Sequence, residues 1–227
     1  METRLRKVVH IMRRFSFRNW GGIENVVYNL CRQFETRGIK SPIFTTSMME
    51  SVGKVMHQKV MIHRFSYALP WLFLSKKARQ HLIEKGGSPT TFSLLKQVLF
   101  EPDLDIIHAH VQRRLGGIAR WVARRRGIPY VVSIHGGHYT LPKSHYTHTT
   151  RLIKGKLEWG KAFGWWVGSR KVVADADGII CVGKDELELM KQKYPEKPVF
   201  YVPNGIPVQR RSEEHTSELQ SPDHLVC

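Results

Sequence analysis

The chain has 227 residues, 41% of them hydrophobic and 24% charged, enough apolar content for one large domain with a core and too much for whole-chain disorder, collagen or a disulfide-stapled miniprotein. Lys and Arg number 36 against 19 Asp and Glu, a formal charge of +17, so an anionic partner has to be considered: nucleic acid, a phosphorylated ligand or an acidic membrane surface. Cys31, Cys181 and Cys227 are odd in number and far apart, which suits a reducing compartment and points to the cytoplasm.

Met1 to Lys7 carries four charged residues, and the apolar run Val8 to Met12 is too short for a secretory signal. The longest charge-free apolar stretch, Phe65 to Ser75, contains Pro70 and is too short to span a bilayer as a helix. Arg6 to Met12 reads as a buried strand. Ile23, Val26, Val27, Leu30 and Phe34 follow helical spacing, with Gly38 where a C-cap belongs, and Pro42 to Thr46 resumes as a strand. This β-loop-α-β unit requires its two strands to be parallel.

Met61 to Phe65 is the next expected strand, followed by two helical pieces separated by Gly86-Gly87-Ser88-Pro89. Asp105 to Ala109 is a strand, Leu115, Ile118, Ala119 and Val122 line one face of a helix, and Gly127 closes it. Tyr130 to Ile134, Gly178 to Val182 and Val199 to Val202 are further strands, each preceded by a helix-like segment. Alternating elements of this kind argue for an α/β fold, a doubly wound parallel sheet of Rossmann-like type.

From Arg211 the composition changes, with one Arg against Glu213, Glu214, Glu218 and Asp223 and no apolar periodicity. Residues 1–210 therefore hold 35 Lys and Arg against 15 Asp and Glu, or +20, so the basic bias belongs to the body. The run Arg211 to Ser221 resembles the translation of a sequencing-adapter oligonucleotide. The expected division is a domain over 1–206 and a non-native or disordered tail over 207–227.

In an open parallel sheet, ligands bind outside the carboxyl ends of the strands, so the loops there carry the candidate residues. Gly21-Gly22 opens the first helix and offers amide N–H groups and a positive dipole end to a phosphate. Neither Gly-x-Gly-x-x-Gly nor a Walker motif occurs. His108 and His110 flank the end of one strand, and His135-Gly136-Gly137-His138 the end of the next. Residues i and i+2 share a face, so these imidazoles can gather in one crevice, there to bind phosphate or sugar hydroxyls or stabilise developing charge. The plainer reading gives them local loop-capping roles. His-x-His is also metal-ligand spacing, but no carboxylate or Cys lies in the same loops.

Arg113, Arg120 and Arg124 form a basic helix face, by default a solvated one. Lys154 to Lys171 mixes Trp159, Phe163, Trp165 and Trp166 with Lys154, Lys156, Lys161, Arg170 and Lys171. This suits either an interfacial helix on anionic lipid or a core helix whose tryptophans pack.

Three segments together resemble the N-terminal domain of family 4 glycosyltransferases of the GT-B fold: Gly21-Gly22-Ile23-Glu24; Asp105 to His110 leading to Ile128 to Gly136; and Ala176 to Gly183 leading to Val202-Pro203-Asn204-Gly205-Ile206. The resemblance implies the first, acceptor-side half of a retaining enzyme, which moves a sugar from a nucleotide-diphosphate donor to an acceptor; the aromatic-basic segment and the absence of a spanning stretch suggest a glycan or lipid-linked acceptor, as in cell-envelope polysaccharide synthesis. The resemblance places Gly21 and Gly22 near the donor diphosphate and His135 at the reaction centre. Arg18, Asn19, Trp20, His108, His110, Gly136, Gly137 and His138 would shape the cleft and its acceptor side. Pro203, Asn204 and Gly205 would be the hinge into a second, donor-binding domain that this sequence does not contain, so the chain by itself is expected not to turn over.

The same resemblance implies no metal, and no cofactor is expected; the cysteine count points to a cytoplasmic protein, and the aromatic-basic segment 154–171 to peripheral contact with the inner membrane face. A metal-dependent hydrolase built on His108 and His110 is the alternative, though several elements precede the pair and the chain is short for an eightfold barrel. A basic module for nucleic acid or another anionic surface is the other; it lacks a recognition motif, and no nucleic-acid partner is expected.

Overall fold

The computed structural model describes residues 5–136 and 153–205. Its eight-stranded sheet runs β3-β4-β2-β1-β5-β6-β7-β8, with β1 Val8–Arg14, β2 Ile43–Thr46, β3 Gly53–His57, β4 Val60–Phe65, β5 Ile106–Ala109, β6 Tyr130–Ile134, β7 Gly178–Cys181 and β8 Val199–Tyr201. Every pairing is parallel except β3 with β4. The helices are α1 Gly22–Thr36, α2 Lys76–His81, continued by a π turn over Leu82–Gly86, then α3 Phe92–Leu99, α4 Arg113–Arg126, α5 Gly160–Trp166 and α6 Lys184–Lys193. The expected α/β doubly wound sheet is what the chain forms.

The central strands are apolar on both faces because helices cover both. One core joins Val9, Ile11 and Ile107 to Leu94, Val98, Ile118 and Val122 of α3 and α4. The other joins Met12, Ile43 and Ile62 to Val27, Tyr28 and Cys31 of α1. Gly127, left-handed at φ 64°, ends α4 as expected.

Three details differ from the sequence reading. β1 lies two residues later than expected, because Arg13 and Arg14 extend the strand toward the site. β3 was not anticipated: Lys54 to His57 are exposed, so this antiparallel edge strand carries no alternating pattern. Arg120 is not solvated. Its Nε and Nη2 lie 2.6 and 2.5 Å from Asp175 Oδ2, and its side chain is largely buried.

In the aromatic-basic segment, helix α5 has only seven residues. Phe163 is buried in the core, as a core helix requires, whereas Leu157, Trp159, Trp165 and Trp166 are exposed. The amide of Leu72 donates to Leu157 O at 3.0 Å, which brings exposed Leu72 and Phe73 alongside. Lys76, Lys77, Lys154, Lys156 and Lys161 are exposed in the same two segments. No helix among the described residues is long and apolar enough to cross a membrane.

Candidate active site

β1 is the strand at which the winding changes direction: β2 lies on one side of it and β5 on the other. A crevice at the carboxyl ends of the strands beside that point is the expected ligand site. The structure has a cleft there of ≈ 190 Å³, with Arg13, Ile23, His110, Arg113 and His135 in its wall. Gly87, Ser88 and Pro89 close it from the turn after α2, and Gly136 from the end of β6. Arg113 has φ 59°, a conformation that costs a non-glycine residue free energy and clusters at functional sites.

Of the four imidazoles expected in one crevice, His110 and His135 line it, His108 is buried and not in its wall, and His138 lies outside the described residues; His10 is an addition. His10, central in β1, places Nδ1 2.9 Å from His110 Nε2, and His110 Nδ1 lies 2.9 Å from His135 Nε2. His108 Nε2 lies 2.7 Å from the Ser133 hydroxyl. Sequence reasoning missed His10 because a lone histidine inside an apolar strand carries no motif; its register opposite His108 is set only by the pairing of β1 with β5. Burial pushes His10 down to about 3 and His135 down to about 4. Burial, then the neighbouring imidazoles, holds His108 and His110 well below the usual histidine range. His10, His108, His110 and His135 are therefore neutral at physiological pH, able to donate or accept hydrogen bonds but carrying no charge.

His10, His108 and His110 bring ligand atoms within 4.8 Å of one another. Among the described residues, no carboxylate or thiol completes the group, and both nitrogens of His110 already face other imidazoles.

Cationic charge comes from Arg13 and Arg113. Burial, then Arg14, lowers Arg13 to about 10, still protonated at neutral pH, and its Nη1 donates to Ile83 O at 2.8 Å. Arg114 supports the wall from behind. It donates to Ser88 O at 2.7 Å and Gly160 O at 2.9 Å and pairs with Glu158.

Gly21 and Gly22 sit at the start of α1 as expected, but the helix end is shared. Glu24, the third helical residue, folds over Gly21 so closely that a Cβ there would lie 2.5 Å from Oε2, as in half of a capping box. Its Oε1 lies 3.6 Å from Arg14 Nε. An anion docking on these amides shares the helix end with a carboxylate, so Arg13 and Arg113 must supply the attraction. Arg18 and Asn19 are exposed, and Trp20 stacks on Phe17 and meets Phe15 and Tyr28 edge-on. None of Arg18, Asn19, Trp20, Gly21 and Gly22 lines the cleft. Pro203, Asn204 and Gly205 are exposed after β8. Gly137, His138 and the tail over 207–227 lie outside the described residues.

The model of the Glycosyltransferase Family 4 proteins matches residues 20–210. The chain belongs to this family. Among curated relatives, D-inositol 3-phosphate glycosyltransferase of Geodermatophilus obscurus is 25% identical over 199 residues, covering 84% of this chain and 40% of the relative. The O-antigen chain mannosyltransferase C of Escherichia coli is 29% identical over 105 residues, 46% of this chain and 24% of the relative. The chain thus spans less than half the length of either. Among solved structures, Anabaena HepE in complex with UDP-glucose superposes with a TM-score of 0.48 at 10% identity, covering 94% of this chain and 49% of that one.

Proposed function

We propose that this chain is the acceptor-side half of a retaining glycosyltransferase, which moves a sugar from a nucleotide-diphosphate donor to a glycan or lipid-linked acceptor. The carrying observation is His135: a neutral imidazole in the wall of the cleft beside the switch strand, tied to His110 and accompanied by Arg13 and Arg113. A neutral imidazole can hydrogen-bond a sugar hydroxyl or a phosphate oxygen, while the two guanidiniums balance the diphosphate. One relative is named for O-antigen chain synthesis, which supports an acceptor of the cell envelope; the other is named for an inositol phosphate.

Completion of the site by a second, donor-binding domain beyond Pro203-Asn204-Gly205 belongs to the same reading. The 227-residue chain alone then shows no turnover. The exposed residues of 71–77 and 154–171 support peripheral docking on anionic lipid from the cytoplasmic side.

The test is to join the chain to the following domain from its source gene and assay transfer from UDP- and GDP-sugars. In that protein, His135→Ala should lower kcat about 100-fold or more with little change in thermal unfolding. Equal losses of activity and stability would make His135 a structural residue and overturn the reading.

A further inference from the structure

Each neutral imidazole has one N–H and one bare nitrogen, so a row of three can be filled in only two ways. In the first, His10 Nδ1–H donates to His110 Nε2, and His110 Nδ1–H donates to His135 Nε2. His135 then carries its proton on Nδ1, and the bare nitrogen is left at His10 Nε2. In the second, every bond is reversed, and the unused N–H falls on His10 Nε2. The two atoms at the ends of the row, His10 Nε2 and His135 Nδ1, are the ones with no protein partner.

The ends are not equivalent. Both atoms are buried, but His10 is 0% exposed and packs against Phe34 and His108, whereas His135 belongs to the cleft wall. A buried N–H without an acceptor is rarer and costlier than an unused acceptor. Each arrangement leaves one buried N–H without a protein acceptor; the second seals it in the core at His10, whereas the first puts it on a residue of the cleft wall, where a ligand oxygen can satisfy it.

We propose that His10 and His110 are positioning residues that fix the tautomer of His135, holding its proton on Nδ1 so that the cleft presents a neutral N–H donor to an oxygen of the ligand. The site then favours an acceptor oxygen, of a phosphate or a sugar hydroxyl, at that point and disfavours a ligand N–H or ammonium group. The role given to His135 rests on the glycosyltransferase reading, but the tautomer does not, and the following test involves no sugar transfer.

The experiment is long-range ¹⁵N–¹H correlation of the imidazoles in the histidine-labelled 227-residue chain at pH 7.5. The Nδ1–H form of His135 is expected in at least about tenfold excess. His110→Phe removes the neighbour on Nε2, and the excess should fall below about threefold. His10→Asp places an acceptor-only side chain opposite His110 Nε2 and should invert the row, moving the His135 proton to Nε2. If His10→Asp does not fold, as judged by its amide spectrum, the wild-type and His110→Phe spectra decide. A predominant Nε2–H form of His135 in the wild type, or a tautomer ratio unchanged in His110→Phe, overturns the proposal. So does stoichiometric Zn²⁺ binding that shifts His10, His108 and His110 together, because the cluster is then a metal site. Failure of the transfer assay with tautomers as expected would sink the glycosyltransferase reading and leave the row standing.

Discussion

The guanidinium of Arg114 on α4 closes on the carboxylate of Glu158 ahead of α5, with side-chain exposures of 8% and 19%. The same guanidinium holds the carbonyls of Ser88 and Gly160, so one cation joins the turn that walls the cleft to the segment bearing the exposed tryptophans. Arg114→Met should destabilise by about 3 kcal/mol, mostly because Glu158 and two carbonyls lose their donor. Adding Glu158→Gln should recover part of the loss. Chemical denaturation of the two single variants and the double variant checks this, and additive losses would refute the coupling.

Stability should fall as the solution is acidified below pH 6.5. His10 and His135 have folded-state values of about 3 and about 4, below the ordinary 6.5, so between those values the unfolded chain binds more protons than the native one. Stability then rises with pH through this window. Between pH 7 and pH 5 each histidine should cost about 2 kcal/mol, with His108 and His110 acting in the same direction. Urea midpoints across this range check it, and His10→Phe should flatten the slope.

The close packing of residues 167–169 on α4 depends on Gly117, where a Cβ would lie 2.6 Å from Val167 Cγ2 and 3.2 Å from Ser169 Cα. Gly117→Ala should cost roughly 1–3 kcal/mol through forced displacement of 167–169, despite the better helix propensity of alanine. A lowered Tm by calorimetry is the expected result; a raised one would mean the segment moves freely.

Binding to anionic vesicles should need both the exposed aromatics and the lysines. Trp165→Ser, at 85% exposure, should weaken sedimentation with phosphatidylglycerol vesicles several-fold without altering the fold. Lys154→Glu with Lys161→Glu should abolish binding at low salt. Binding indifferent to all three substitutions would remove the membrane docking proposed for this patch.

The apolar runs of β1, β5, β6 and β7 made the sheet legible, and Gly127 marked a helix end, because buried parallel strands and glycine caps leave local signatures. β3 left none, since Lys54 to His57 are exposed and the strand pairs with β4 alone. At the site, His110 and His135 were readable from their place after strands. His10 was not: its role comes from β1 lying beside β5, a fact of pairing that no local window contains. The capping carboxylate of Glu24 was open to reading as the third residue after Gly21, but a glycine pair before a helix reads first as an anion site.

The imidazole row also crosses the sheet diagonally, stepping from β1 to the ends of β5 and β6. Its first link joins residues 100 apart in sequence and its second residues 25 apart. A one-residue slip of β1 would turn His10 to the opposite face and open the row. During refolding the row can therefore close only after this long-range pairing is in place. Its nitrogen resonances would time the arrival of correct strand alignment separately from collapse, which fluorescence of the exposed tryptophans would not reveal.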